Sequence, residues 1–302
     1  MELKRTISLG IGASSKVDLF TNEKEYFARK RSKGPFFNTL IQNEYYVLSQ
    51  FKKPCIRRVY NFQQSEKYTF DMDFYEYTLF QKEKDLNRYE KFVVIYGVSK
   101  AVEAILAQGF IHRDIKPSNI MLNTKNYPVL SDFGIVRKND NCSNSGKGTP
   151  IYVYPLFDDC ENLVNQYIDV YSIGVLICDL FYGLPDKCKT SNIGIITKER
   201  YYKRFFPNFV NKIKDPEDCF GQLLQKCISI DHPIPIDKVI QELDNIFVKE
   251  FIHESEKFTE FLEWINQDIH DTYLPNQCNP QIVENTVVSP SPDSIFYMVN
   301  NQ

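Results

Sequence analysis

Residues 110–122 read FIHRDIKPSNIML, and no other stretch restricts the architecture of this chain as tightly. His112, Arg113, Asp114, Lys116 and Asn119 stand between Phe110 and Ile111 on one side and Ile120, Met121 and Leu122 on the other. A charged run by itself reads as a solvated loop. Here core-type residues bracket it at both ends, and only matching context elsewhere in the chain can displace that reading. VLSDFG at 129–134 repeats the pattern with Asp132. Asp114, Asn119 and Asp132 are hard oxygen donors on separate short segments flanked by strand-like apolar residues, so they can converge on Mg2+ and its phosphates.

Three upstream segments fit that chemistry. LGIGASSKV at 9–17 carries Gly10 and Gly12. A dinucleotide-binding turn would need a helix directly after the glycines, whereas KVDLF alternates Val17 and Leu19 as a strand does. A hairpin results, and its glycines let backbone amides approach a phosphate where a Cβ would collide. In EYFARK at 25–30 the period of two puts Tyr26, Ala28 and Lys30 on one face, with Phe27, Arg29 and Arg31 on the other. If Arg29 and Arg31 face water, Lys30 points inward beside Ala28, where an unpaired ammonium is costly; an exposed edge-strand lysine is the alternative. NTLIQNEYYVLSQF at 38–51 has a helical stripe of Leu40, Ile41, Val47, Leu48 and Phe51, and Glu44 lies on it. A carboxylate on an apolar face needs a cation, and Lys30 is the nearest inward candidate.

Residues 4–75 are rich in short β-branched and aromatic runs, and from about 89 onward Val94, Ile95, Val98, Val102 and Ile105 recur at helical steps. The boundary falls near 73–80, and 302 residues suffice for two lobes. A net charge of −3 and a pI near 5.9 argue against nucleic acid or an anionic membrane surface as principal partner. Eight cysteines lack any C-x-x-C pair or paired His spacing, which argues against a zinc site or a disulfide scaffold and for reduced thiols. The first twenty residues show no apolar signal core, so a cytoplasmic protein, with the nucleus also open, is expected. Ile168–Phe181 is the longest apolar run, but Asp169 and Asp179 interrupt it and it is shorter than the ~20 residues a bilayer needs, so a buried helix is expected. FTEFLEWIN at 258–266 suggests an amphipathic helix, and 275–302, rich in Asn, Pro and Ser, suggests a disordered tail.

Taken in order, Gly10 and Gly12, Val17, Ala28 and Lys30, Glu44, HRDIKPSN at 112–119, DFG at 132–134, GTPIYVYP at 148–155 and DVYSIGV at 169–175 resemble the eukaryotic protein kinases, over about residues 8–248. The resemblance implies an α+β fold of two lobes with ATP in the cleft between them. It divides the chain into an N-lobe (1–72), a hinge (73–80), a C-lobe (81–250), a helical C-terminal extension (251–274) and the tail. It further implies that Lys30 holds the α- and β-phosphates and is oriented by Glu44, that Asp132 and Asn119 bind Mg2+, that Asp114 accepts or orients the proton of the substrate hydroxyl, and that Lys116 contacts the transferring phosphate. Val17, Ala28 and Met121 would enclose the adenine, Met72 would be the gatekeeper, and Asp73 and Tyr75 would offer backbone hydrogen bonds from the hinge.

Lys116 after Asp114, together with Thr149, is similar to serine/threonine rather than tyrosine kinases, so Ser/Thr protein substrates are implied. Ser143 and Ser145, in a polar loop, are candidate phosphorylation sites that Arg113 and Arg137 could receive. The chain departs from the family pattern at Ser15, Tyr154, Leu156 and Tyr171. Leu156 stands where most kinases place Glu, and DHPIPID at 231–237 lacks the arginine that would pair with it, so Leu156 is expected to pack on Ile234 or Ile236. A pseudokinase scaffold is the alternative that the altered segment end favours. A small-molecule kinase and an interaction module built on 250–302 are further rivals.

Overall fold

The computed structural model describes residues 4–22, 25–138, 150–152, 154, 167–184, 210–213, 215, 217–229 and 232–269. Ser143, Ser145, Thr149, Leu156 and the whole of 275–302 lie outside the described residues.

Five antiparallel strands open the chain: β1 (Lys4–Ile11), β2 (Ser15–Thr21), β3 (Tyr26–Ser32), β4 (Val59–Gln63) and β5 (Thr69–Asp73), in the spatial order β1-β2-β3-β5-β4. The register aligns Val17, Lys30 and Phe70 across three strands, and Leu19, Ala28 and Met72 two residues further on. Directly opposed residues share a face, so one face of the sheet carries both rows and the inward lysine among them. The other face carries Arg29, which is bonded to Asp71 at 2.6 and 2.9 Å and lies over the rings of Phe20 and Phe27. Arg29 is therefore half-buried by its own neighbours, while Arg31 is exposed.

Helix α1 (Asn38–Leu48) crosses behind the sheet and buries Ile41, Glu44 and Leu48. Leu40, expected on the same stripe, is exposed. A lone helix laid against a sheet is covered along a narrow stripe, and Leu40 lies one residue, about 100°, off the line through Ile41.

After a short strand β6 (Tyr77–Thr78) and a single helical turn α2 (Leu79–Lys82), the second lobe is helical. Helix α3 (Arg88–Ala107) starts at a reciprocal cap, the Glu90 amide donating to Asn87 and the Asn87 amide to Glu90. Strands β7 (Phe110–Ile111), β8 (Ile120–Leu122), β9 (Pro128–Leu130) and β10 (Arg137–Lys138) form two small antiparallel sheets, β6-β8-β9 and β7-β10. Helix α4 (Ile168–Tyr182) is buried nearly throughout, as a helix apolar on all sides must be. Among the described residues no helix is long and apolar enough to cross a membrane.

Helices α5 (Cys219–Cys227), α6 (Ile236–Ile246) and α7 (Ser255–Asn266) complete the lobe. The helix expected over FTEFLEWIN is the body of α7, whose Phe261 meets Tyr127 edge-on and whose Trp264 packs against the same ring at a tilt. Beyond it, the Ile269 amide donates to the Lys52 carbonyl and Asp268 pairs with Lys53 at 2.7 Å, which ties the end of this helix to the segment following α1.

Candidate active site

Strand β7 is buried, as are Ile120 and Leu122 of β8, and the loop between the two strands is held from below by α4. Asp169, in the first turn of that helix, accepts the amide of His112 on Oδ2 at 2.7 Å and the amide of Arg113 on Oδ1 at 2.8 Å. Burial pushes the Asp169 carboxyl above its ordinary range, against the pull of His112 and the two amides. Arg113 adopts φ 74°, a left-handed conformation that costs a bulky residue about 1–3 kcal/mol. Among the described residues the other non-glycines with positive φ are Asn61 and Asn126, a residue type that tolerates it, and Asp132. The one costly position among them, Arg113, thus sits in this site, beside a second left-handed residue, Asp132.

Replacing Asp169 by Ala would orphan two buried amides at about 1–3 kcal/mol each, so urea unfolding should show a loss of about 2–6 kcal/mol. A loss under about 1 kcal/mol would mean that water satisfies the amides instead.

The loop gathers its polar side chains around Asp114. Asn119 donates from Nδ2 to Asp114 Oδ2 and to the Asp114 carbonyl, both at 2.8 Å, and Lys116 Nζ lies 3.1 Å from the same Oδ2. His112 bridges to the next loop: its Nε2 meets the Ser131 carbonyl at 3.1 Å, and its ring packs edge-on against buried Phe133. Ser131 donates its amide to the Asn119 carbonyl at 2.9 Å. The segments carrying Asp114 and Asp132 are therefore fastened to each other directly.

Lys30 reaches the site from β3. It is only 8% exposed, and its Nζ lies 2.7 Å from Glu44 Oε1 and 3.2 Å from Asp132 Oδ1. Burial acts to lower the Lys30 pKa, but Asp132 and Glu44 outweigh it and hold the group above the ordinary range. The Lys30 charge in turn holds the Asp132 carboxyl down at about 2, so Asp132 is ionised at neutral pH. A Cβ at Gly134 would stand 3.4 Å from Asp132 Oδ1 and 3.7 Å from Glu44 Oε2, ordinary contact distances, so this packing does not itself demand glycine there. Lys30, Glu44 and Asp132 come from a strand, a helix and a loop of the two lobes, and they meet at one ammonium.

Of the other sequence-derived positions, Val17, Ala28, Met72 and Met121 lie on strands. Ala28 is buried opposite Met72, which is also buried, and Val17 lies opposite Lys30. Met121 is half-buried between buried Ile120 and Leu122 and so projects to the other side of β8. In the β1–β2 hairpin the Gly12 amide bonds the Ser15 carbonyl at 2.9 Å. Among the described residues a Cβ on Gly10 would meet nothing within 4 Å and one on Gly12 nothing closer than 3.8 Å, so the chain's own packing does not demand glycine at either position.

One expectation needs correction. Asp73 does not present its backbone to a ligand: its amide donates to the Arg58 carbonyl at 3.3 Å, and its carbonyl accepts Arg57 Nε at 3.0 Å and Nη2 at 2.8 Å. The reason is Arg57, a guanidinium only 5% exposed that requires acceptors where it is buried. Tyr75 contributes its ring, 5.8 Å from the same guanidinium. Neither Arg57 nor the role of Asp169 was drawn from the sequence. The available signals were two arginines between Ile56 and Val59, and an aspartate opening an apolar helix.

Among the described residues no cluster of three or more His, Cys, Asp and Glu could hold a metal by itself. Asp132 and Asn119 supply hard oxygen donors, too few for a closed cage, which suits a Mg2+ ion that completes its shell with phosphate oxygens and water. Tyr154 and Tyr171, two of the departures noted in the sequence, are both buried and meet with their rings edge-on at 5.6 Å.

Residues 3–269 match the family described as protein kinase domain. Among curated proteins, the chain is 28% identical over 204 residues to the cGMP-dependent protein kinase, isozyme 1, of Drosophila melanogaster, covering 61% of this chain and 26% of that protein. It is 29% identical over 204 residues to the Aurora kinase of Debaryomyces hansenii, covering 62% and 47%. It is 23% identical over 303 residues to the serine/threonine-protein kinase mrck-1 of Caenorhabditis elegans, covering 85% and 18%. The chain thus spans less than half the length of each of these relatives.

Proposed function

This chain belongs to the protein kinase domain family, and from that premise we propose that it transfers the γ-phosphoryl group of ATP to serine and threonine hydroxyls of proteins, with Mg2+ as cofactor. The observation that carries the reading is the Lys30 ammonium held 2.7 Å from Glu44 and 3.2 Å from Asp132. A cation fixed in this way is placed to grip phosphate oxygens without moving.

Each residue has one task. Lys30 binds the α- and β-phosphates and Glu44 keeps it in position. Gly10 and Gly12 let the hairpin backbone close over the nucleotide, whose base lies among Val17, Ala28 and Met121, with Met72 behind it. Asn119 turns its Nδ2 onto Asp114, so the acceptor end of its amide is the one facing a cation, and Asp132 offers its carboxylate beside it. Mg2+ bound there would neutralise charge on the phosphates. Asp114 accepts the proton of the substrate hydroxyl as its oxygen bonds to the γ-phosphorus and the bond from that phosphorus to the β-phosphate oxygen breaks, releasing ADP. Lys116, 3.1 Å from Asp114, supports the charge passing between them. Lys116 itself supports Ser/Thr substrates, and the cysteine pattern supports a reducing compartment, cytosol or nucleus.

Incubation of the full chain with Mg-ATP and a mixed peptide library, read by mass spectrometry, should give phosphoserine and phosphothreonine. Phosphotyrosine alone would remove the substrate assignment. Nucleotide-dependent melting with no transfer to any acceptor would establish a pseudokinase scaffold instead.

A further inference from the structure

A buried arginine seldom spends its donors on neutral oxygens alone, yet Arg57 does so here. Its Nε and Nη2 converge on the single carbonyl oxygen of Asp73 at 3.0 and 2.8 Å, and its Nη1 donates to Ser131 Oγ at 3.0 Å. Among the described residues it has no carboxylate within ion-pair distance, because the Asp73 carboxylate is turned to Arg58 at 3.0 Å. Two consequences follow. A carbonyl oxygen has two lone pairs, and two charge-assisted donors already fill them. A ligand N–H arriving at that oxygen would have to displace a guanidinium donor and leave it buried without a partner, which costs more than the new bond returns.

Arg57 lies behind the end of β5, joining Asp73 to the Ser131 that precedes Asp132. Its positive charge therefore faces the edge of the cleft where, in the reading above, a purine base comes to rest. That charge repels an N–H donor directed at it.

We propose that Arg57 is a specificity-determining residue of this nucleotide site. By occupying the Asp73 carbonyl it removes the acceptor for a 6-amino group, so the site does not distinguish adenine from a purine that lacks that group. The inference rests on the nucleotide-site reading.

The test is calorimetric titration of the full chain with Mg2+ and either ADP or the otherwise identical diphosphate of unsubstituted purine riboside. The unaltered chain should bind both with dissociation constants within about twofold of each other, because no hydrogen bond is lost. Arg57→Met, its fold checked by thermal melting, frees the carbonyl and should then prefer ADP by about five- to tenfold, the worth of one recovered hydrogen bond. If Arg57→Met does not fold, Arg57→Lys, which cannot place two donors on one oxygen, takes its place and should move the ratio in the same direction. A tenfold or greater preference for ADP in the unaltered chain would overturn the inference and leave the nucleotide site standing, as would an unchanged ratio in a folded variant. Failure of the unaltered chain to bind either diphosphate would overturn the nucleotide-site reading and this inference with it.

Discussion

Lys30→Met should abolish phosphoryl transfer while leaving a folded, less stable chain. Met matches the length of the lysine stem, so Val17 and Phe70 keep their neighbour across the sheet. What disappears is the one cation that Glu44 and Asp132 share. Removing one partner of a buried ion pair costs about 3–5 kcal/mol when the other charge stays buried. Glu44 is only 5% exposed, and burial already pushes its carboxyl above the ordinary range while Lys30 opposes.

Without Lys30 the largest pull against that upward push is gone and the weaker pull of Arg57 remains, so Glu44 takes up a proton more readily in the folded than in the unfolded chain. A group whose folded pKa is raised lends stability that is present below its unfolded pKa and is lost as pH rises through the folded value. The penalty of Lys30→Met, measured by urea unfolding against the unaltered chain, should accordingly be smaller at pH 5 than at pH 8. Transfer at the unaltered rate would sink the role of Lys30. A penalty that is the same at both pH values would show that Glu44 finds another cation.

The second large effect concerns Asp114. Asn at this position keeps an oxygen for Lys116 and Asn119, which now hold Asp114 Oδ2 at 3.1 and 2.8 Å, so the loop can keep its shape. It cannot take the hydroxyl proton. Turnover should fall by about 100-fold or more, the scale of a lost general base, with nucleotide affinity unchanged. Undiminished turnover would assign the base elsewhere, and a parallel fall in nucleotide affinity would mean that Asp114 acts on loop geometry rather than on the proton.

Several parts of this site are legible in the sequence, and each for a local reason. Lys30 could be placed inward because a strand alternates with a period of two and its neighbours Arg29 and Arg31 are better suited to the outer face. Glu44 could be placed on a covered face because helical spacing sets it with Ile41 and Leu48. From these two positions the pairing of an inward cation with an inward carboxylate follows, since either alone would be costly. Leu40 shows the limit of such reasoning: helical period names the stripe but not its width, which depends on how much of the helix the sheet covers.

What the sequence alone determined is the β-rich first lobe, the helical second lobe and the covered faces on which Lys30 and Glu44 can lie, all of which follow from periodicity. The candidate reacting groups and their order come instead from the resemblance to the protein kinases. Tertiary structure alone decided that Asp132 reaches the same ammonium as Glu44, that Asp169 holds the Arg113 loop in a left-handed turn, and that Arg57 takes the Asp73 carbonyl. Each of those contacts joins residues distant in sequence, and the hydrogen-bond demand of a buried polar group states only that a partner must exist. Which carbonyl or carboxylate answers it is settled when the chain packs and the available acceptors are brought within about 3 Å.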